Sequence, residues 1–160
     1  TARGIADIYN ESFNTAVAYA TEEYNNIMQS GRQPYINYAI SDLANAYCSS
    51  GNYDKALILS KQAIDSVKQD DIYLYTTAQQ IISIAHIGNN DLIQGQNVLE
   101  SLCQSKLAEV HDSLYLAWIY AATDKPQKAI HIYNEISDST DGRYHMAKYQ
   151  TLKSLSLYEA

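Results

Sequence analysis

The chain has 160 residues, of which 46% are hydrophobic and 18% charged, with only 6 Gly and 2 Pro. A chain of this length buries roughly 70% of the surface that its unfolded form exposes, so folding needs neither a disulfide nor a metal ion. The formal net charge is −7 and the basic residues are spread singly, which disfavours nucleic-acid binding through this segment. No apolar run approaches the roughly 18 residues of a membrane-spanning helix, so we predict no membrane contact through it.

The first pattern along the chain is Ser-Phe-Asn-Thr-Ala-Val at residues 12–17, which parallels Asn-Tyr-Asp-Lys-Ala-Leu at residues 52–57. This parallel makes Ala16 the equivalent of Ala56. Apolar residues recur here and downstream at helical spacing, without the alternation of strands. We therefore predict an all-α chain that opens with a partial helical unit over residues 1–36.

A clearer unit follows over residues 37–73. Its motif Leu-Ala-x-x-Tyr at residues 43–47 is followed nine residues later by Ala56, and the same motif at residues 116–120 is followed nine residues later by Ala129. Each copy divides into two amphipathic segments. The small alanines would let the two helices of a unit approach closely.

Turn signals separate the two helices of each unit. Gly51 can take the left-handed conformation that closes a helix, and Asn52 can cap the next helix. In the later copy, Asp124 is predicted to cap a helix that has Pro126 in its first turn, where the missing N–H is harmless. The Asp-Asp pair at residues 70–71 is predicted to begin an outer helix in the same way. Turns this short force neighbouring helices to be antiparallel.

A weaker copy lies between these two, over about residues 74–109. We predict that Ile84 takes the place of the motif tyrosine, Gly88 that of the turn glycine and Ile93 that of the alanine. In this alignment Glu100 stands where a further alanine is expected. The middle copy therefore departs from the small-residue pattern of its neighbours.

The repeated unit resembles the tetratricopeptide repeat (TPR), a helix-turn-helix unit of about 34 residues. The resemblance covers about residues 37–138. It implies an α-α superhelix, a solenoid of antiparallel helix pairs, that forms a single domain over residues 1–160. Its units would be residues 37–73, 74–109 and 110–145, with partial units at 1–36 and 146–160. A helical bundle of another family is the alternative.

The resemblance also implies a concave surface, lined by the first helix of each unit, that binds a peptide or partner protein. The family's groove positions fall here on polar and aromatic residues. Those predicted to contact a partner are Tyr38, Asp42, Asn45, Tyr75, Gln79, His86, His111, Tyr115 and Trp118. An extended segment would bind Asn45 and Gln79 through its backbone, and Tyr115 and Trp118 through apolar side chains. Packing of these aromatic residues between units is the alternative.

One subclass of the family holds the terminal carboxylates of a peptide with Lys, Arg and Asn. Only Asn45 matches that pattern, so binding of a chaperone tail is not expected. Residues typical of catalysis are also missing: none of the four histidines has zinc-type spacing, and there is no phosphate-binding loop or nucleophile elbow. We predict a non-catalytic scaffold that needs no cofactor and no metal.

The sequence begins and ends within helical patterns, so we expect a piece of a longer polypeptide. An alternative function is a sensory or oligomerisation module of a multidomain regulator, whose DNA-binding or kinase output lies elsewhere in the chain. Another alternative is a homodimer formed through apolar residues at the end of the solenoid. Those residues are Leu152, Leu155, Leu157 and Tyr158.

Overall fold

The computed structural model describes residues 2–66 and 71–139. This part of the chain contains seven α-helices and no strand, which confirms the all-α class. The helices are α1 (Ala2–Ser30), α2 (Gln33–Ser49), α3 (Tyr53–Ser66), α4 (Ile72–Gly88), α5 (Leu92–Gln104), α6 (Val110–Ala122) and α7 (Pro126–Ser139). None of these helices is long and apolar enough to span a membrane.

The predictions for residues 146–160 lie outside the described residues. They include the apolar residues proposed for self-association, Leu152, Leu155, Leu157 and Tyr158.

Residues Thr1–Val98 form one compact unit. Within it each helix packs on the next, from α1 to α4, and α2 also packs on α4. The contact between α2 and α4 places two alternate helices side by side. The first unit is therefore a layered stack in which the α2–α3 hairpin lies between α1 and α4.

Small residues occupy the closest approaches in this stack, as the sequence predicts. Ala44 of α2 and Ala56 of α3 are completely buried and share one core cluster with Ile81 and Ala85 of α4. Tyr47, the tyrosine of the repeated motif, packs against the same cluster. A larger side chain at either alanine would push the helices apart.

Residues Leu99–Ala160 form a second compact unit, so the boundary falls inside α5. Here α6 packs on α7, and Ala117 and Ala129 are completely buried. The buried Tyr120 donates a hydrogen bond to the Glu100 carboxylate, with an oxygen-to-oxygen distance of 2.6 Å. Burial and this carboxylate both raise the pKa of Tyr120.

One type of turn follows four of the described helices. In each, a backbone N–H just past the helix donates to the carbonyl five residues earlier, which is the main bond of a Schellman motif. The pairs are Asn52 to Tyr47 at 2.8 Å, Asp91 to His86 at 2.8 Å, Leu107 to Leu102 at 3.2 Å and Lys125 to Tyr120 at 2.8 Å. The residue before each donor has a positive φ: 79° at Gly51, 61° at Asn90, 60° at Lys106 and 62° at Asp124.

These turns correct the predicted alignment of the middle copy. The equivalent of Gly51 is Asn90, not Gly88, because Asn90 carries the positive φ. The equivalent of Ala56 is then Gly95, which is buried, whereas Ile93 is 71% exposed. The alignment that placed Ile93 at the helix crossing is therefore wrong by two residues.

The corrected alignment restores the pattern of small residues. The equivalent of Ala44 and Ala117 is now Ser83, and all three are completely buried. The Ser83 hydroxyl donates to the Gln80 carbonyl at 2.8 Å, so its burial leaves no polar group unsatisfied. The equivalent of Tyr47 is His86 instead of Ile84. Leu102, not Glu100, takes the position of the buried Ala63, so this position is buried and apolar but still departs from alanine.

Gly88 has a different role from the one predicted. It is the last residue of α4, and the ring of Tyr53 lies directly over its Cα. A Cβ at this position would overlap the outer end of the ring, so glycine allows this close approach and a larger residue would make the Tyr53 side chain shift. Beside this contact the Asn89 amide donates to the Asp54 carboxylate at 2.8 Å, which joins the end of α4 to the beginning of α3.

The predicted caps have mixed outcomes. Asp71 caps α4, because its Oδ1 accepts from the Leu74 N–H at 3.1 Å. Pro126 is the first residue of α7, as predicted. The prediction that Asp124 caps α7 is wrong, because Asp124 takes the left-handed position of the turn and Lys125 directly precedes the helix.

Candidate partner-binding surface

Three of the residues that are predicted to contact a partner lie on α2, in the first compact unit. Tyr38, Asp42 and Asn45 are exposed, while Ile40 and Leu43 between them are buried. Because an α-helix has 3.6 residues per turn, the three exposed residues form one stripe along the helix. The amphipathic pattern that buries α2 against α3 therefore also presents these side chains to solvent.

Tyr38 connects this stripe to the beginning of α4. Its hydroxyl donates to Oδ2 of Asp71 with an oxygen-to-oxygen distance of 2.7 Å. The backbone N–H of Leu74 and this hydroxyl both lower the pKa of Asp71, and the bond to Asp71 raises the pKa of Tyr38. One carboxylate thus caps α4 and positions the exposed Tyr38 ring.

The neighbouring surface of α4 is also rich in tyrosine. Tyr75, one turn beyond Asp71, is 38% exposed, and Tyr73 is 72% exposed. The Gln79 amide donates to the Tyr75 hydroxyl at 3.1 Å, so one of its two N–H groups is already engaged. Tyr73 and Tyr75 are two positions apart and project from different sides of α4, and Tyr73 lies close enough to Tyr38 to raise its pKa. We name the exposed surface along α2 and around the beginning of α4, formed by Tyr38, Asp42, Asn45, Asp71, Tyr73, Tyr75 and Gln79, the tyrosine face.

Asp42 adds a charge to the tyrosine face near α1. Burial of the carboxyl group raises its pKa, and so does the nearby carboxylate of Glu23. A like charge nearby disfavours ionisation of Asp42. This side of the tyrosine face therefore carries two acidic groups from neighbouring helices.

His86 does not belong to the tyrosine face. It lies eleven residues beyond Tyr75, which corresponds to about 16 Å along an α-helix. Its ring is mostly buried, and Nδ1 lies 3.4 Å from the Asp91 carboxylate. His86 therefore supports the turn between α4 and α5, where it takes the position of the motif tyrosine.

The three predicted residues of the second unit share one stripe of α6. Tyr115 and Trp118 are 39% and 43% exposed, and His111 lies one turn before Tyr115. Nδ1 of the His111 ring lies 3.4 Å from the Glu109 carboxylate, and Nε2 lies 3.4 Å from the Asp112 carboxylate. Glu109 and Asp112 form the capping box of α6. This stripe and the tyrosine face belong to different compact units.

Reasoning from the sequence missed Asp71 and Tyr73 as parts of the surface. The signal that could have found them is the distribution of basic residues. Neither α2 nor α4 contains a lysine or arginine, whereas α3 contains Lys55 and Lys61. A helix face with tyrosines and carboxylates but no basic residue differs from an ordinary solvated face, which mixes both charges.

The described residues include no group of three or more His, Cys, Asp or Glu side chains placed to hold a metal ion. Both cysteines, Cys48 and Cys103, are free thiols, and burial raises the pKa of Cys48 to about 11. Comparison of the chain with family models, curated proteins and solved structures found no match.

Proposed function

We propose that this chain is a non-catalytic scaffold that binds an extended segment of another protein through the tyrosine face. The observation that carries the proposal is the exposure of Tyr38, Tyr73 and Tyr75 at the neighbouring ends of two packed helices, by 41%, 72% and 38%. Tyrosine presents a large apolar ring with a polar end, and it is enriched among residues that dominate binding energy.

The rigidity of the surface supports the same function. Tyr38 is held by Asp71, and Tyr75 by Gln79. A ring that is already positioned loses less side-chain entropy when a partner binds. The Tyr115 and Trp118 stripe of α6 offers similar chemistry, and we propose that it contributes to the same function.

We also propose that the helix pairs are units of a TPR-like superhelix. Support comes from the recurring Schellman turn and from the small residues Ala44, Ser83 and Ala117 at equivalent positions. A crystal structure in which successive helix pairs do not stack regularly would rule it out.

The binding function can be tested with a display library of random 12-residue peptides, selected on the immobilised chain. We expect enriched peptides whose affinity falls about 10-fold or more with Tyr75→Ala or Trp118→Ala, as for residues central to an interface. Ile93→Ala is the matched control, because Ile93 is 71% exposed but lies on α5. Unchanged helix content by circular dichroism would show that each variant still folds.

Two results would reject this function. One is that no peptide is enriched above the immobilisation support alone. The other is that Ile93→Ala weakens binding as much as Tyr75→Ala and Trp118→Ala do, since the binding would then not depend on the proposed surfaces.

A further inference from the structure

Every charged side chain among the described residues that form the tyrosine face is negative. Asp42 and Asp71 lie on it, and Glu23 of α1 is close enough to Asp42 to raise its pKa. The helices α2 and α4 supply no lysine or arginine to neutralise these groups. Among the described residues, the basic residue nearest to Asp42 in sequence is Arg32, which precedes α2 and lies ten residues away, about 15 Å along a helix. Lys68, three residues before Asp71, lies outside the described residues.

We propose that the segment bound by the tyrosine face is cationic, with at least one lysine or arginine that lies beside Asp42 and over a tyrosine ring. This inference rests on the proposed function and specifies the chemistry of its partner. Electrostatic complementarity of this kind selects partners and accelerates their association. A peptide with an acidic tail or terminal carboxylates would instead be repelled.

The tyrosine rings strengthen the preference for a cation. The face of an aromatic ring attracts an ammonium or guanidinium group, and this chain already contains such contacts on other surfaces. The Lys55 ammonium lies 4.8 Å from the centre of the Tyr47 ring, and that of Lys128 lies 5.1 Å from the centre of the Tyr120 ring. On the tyrosine face the rings are present, and the cation would come from the partner.

Placing a cation beside Asp42 would also relieve the repulsion between Asp42 and Glu23. Because both carboxylates are close to solvent, the attraction is moderate and is screened by salt. We therefore expect a preference that is clear at low ionic strength and weak at high ionic strength. The tyrosine contacts should depend much less on salt.

The test uses peptides selected from the random 12-residue library on the intact chain. We expect lysine and arginine to be enriched among peptides whose binding needs Tyr75. For one such peptide, replacing its basic residues with glutamine should weaken binding about 3- to 10-fold in about 0.05 M NaCl, and by less than about 2-fold in about 0.5 M NaCl. Fluorescence polarisation with a labelled peptide measures these affinities.

The matched variants are Asp42→Asn and Asp65→Asn. Each removes one negative charge, but Asp65 is an exposed residue of α3. We expect Asp42→Asn to abolish the preference for the basic peptide over its glutamine version, and Asp65→Asn to retain it. Equal losses in the two variants would mean that only the net charge of −7 attracts basic peptides, and would overturn the inference.

The outcomes also separate this inference from the proposed function. Peptides that need Tyr75 but show no enrichment of lysine or arginine would overturn the cationic partner and leave the binding function standing. Absence of any peptide that needs Tyr75 would overturn both.

Discussion

The turn between α2 and α3 and the turn between α4 and α5 follow the same backbone path with different residues. The left-handed position is Gly51 in the first turn and Asn90 in the second. The residue before the next helix is Asn52 in one and Asp91 in the other, and each donates its N–H across the turn at 2.8 Å. The comparison shows that the bonds at the helix end define this turn, and that glycine is only one way to satisfy them.

The second turn also contains a glycine that does not serve the turn. Gly88 lies two residues before Asn90 and admits the Tyr53 ring. Two different demands, a positive φ and a close approach, thus fall on neighbouring residues. An alignment made on glycine alone shifts the whole hairpin, and the following predictions test the corrected alignment.

The largest expected effect comes from placing larger side chains at the buried small residues where neighbouring helices pack together. Ala44→Leu and Ser83→Leu should each lower the free energy of unfolding by about 2 to 3 kcal/mol, because both positions are completely buried and overpacking forces helices apart. Ile93→Leu should change it by less than about 0.5 kcal/mol, as expected for an exposed site. Urea unfolding followed by circular dichroism measures all three.

A reversed result would restore the original alignment. If Ile93→Leu were costly and Ser83→Leu harmless, Ile93 would lie at the crossing and Ser83 would not.

Much of the fold could be predicted from local patterns. The helical class, the Gly51 turn, the Asp71 cap and the buried alanines all follow from spacing and from residue preferences within a few positions. The sequence alone could not align the middle hairpin correctly, because Gly88 stands where a turn glycine is expected. The glycine is instead explained by its contact with Tyr53, which is 35 residues away. Long-range contacts of this kind leave no local signal.

The candidate surface also has one part that the local sequence predicts and another part that depends on long-range contacts. The exposed stripe of Tyr38, Asp42 and Asn45 follows from helical periodicity, since the neighbouring apolar residues must be buried. The bond from Tyr38 to Asp71 joins residues that are 33 positions apart, and nothing near either residue predicts it. The shifted alignment also placed Tyr75, Gln79 and His86 on the surface. With the corrected alignment the equivalents of Tyr38 and Asp42 are Thr77 and Ile81, so Tyr75 and Gln79 are assigned to the tyrosine face by their place beyond Asp71 and not by the repeat. The partner of His86, Asp91, belongs to the misaligned turn.

The next effect concerns the close approach in the second turn. Gly88→Ala should cost about 1 kcal/mol, because the new Cβ overlaps the Tyr53 ring and the ring must move, while the better helix propensity of alanine offsets part of this cost. In a Tyr53→Leu background the same substitution should cost clearly less, since the two sites are in contact. Thermal or urea unfolding of the four chains of this double-mutant cycle gives the coupling. Strictly additive costs would show that Tyr53 does not need the space above Gly88.

A similar or smaller effect should separate the two left-handed residues. Gly51→Ala should cost about 1 kcal/mol, because a side chain with a Cβ is strained at positive φ. Asn90→Gly should change the free energy of unfolding by less than about 0.5 kcal/mol, since asparagine tolerates this conformation and glycine adds entropy to the unfolded chain. These values come from urea unfolding. A large gain from Asn90→Gly would mean that the second turn is strained where the first is not.

The smallest effect concerns the beginning of α4, where a side chain rather than a turn makes the connection. The pKa of Asp71 in the folded chain lies below its ordinary value, because the Leu74 N–H and then the Tyr38 hydroxyl donate to the carboxylate. A lowered pKa in the folded state stabilises the fold above the unfolded-state pKa, and this contribution disappears as the pH falls through the folded-state value.

Tyr38→Phe removes one donor and leaves the Leu74 N–H, so the pKa of Asp71 should rise but stay below its ordinary value. Tyr75→Phe is the control, because the Tyr75 hydroxyl accepts from Gln79 and should leave the pKa of Asp71 unchanged. Carboxyl titration by NMR measures both variants, and equal titration of Asp71 in wild type and Tyr38→Phe would show that Tyr38 does not hold this carboxylate in solution.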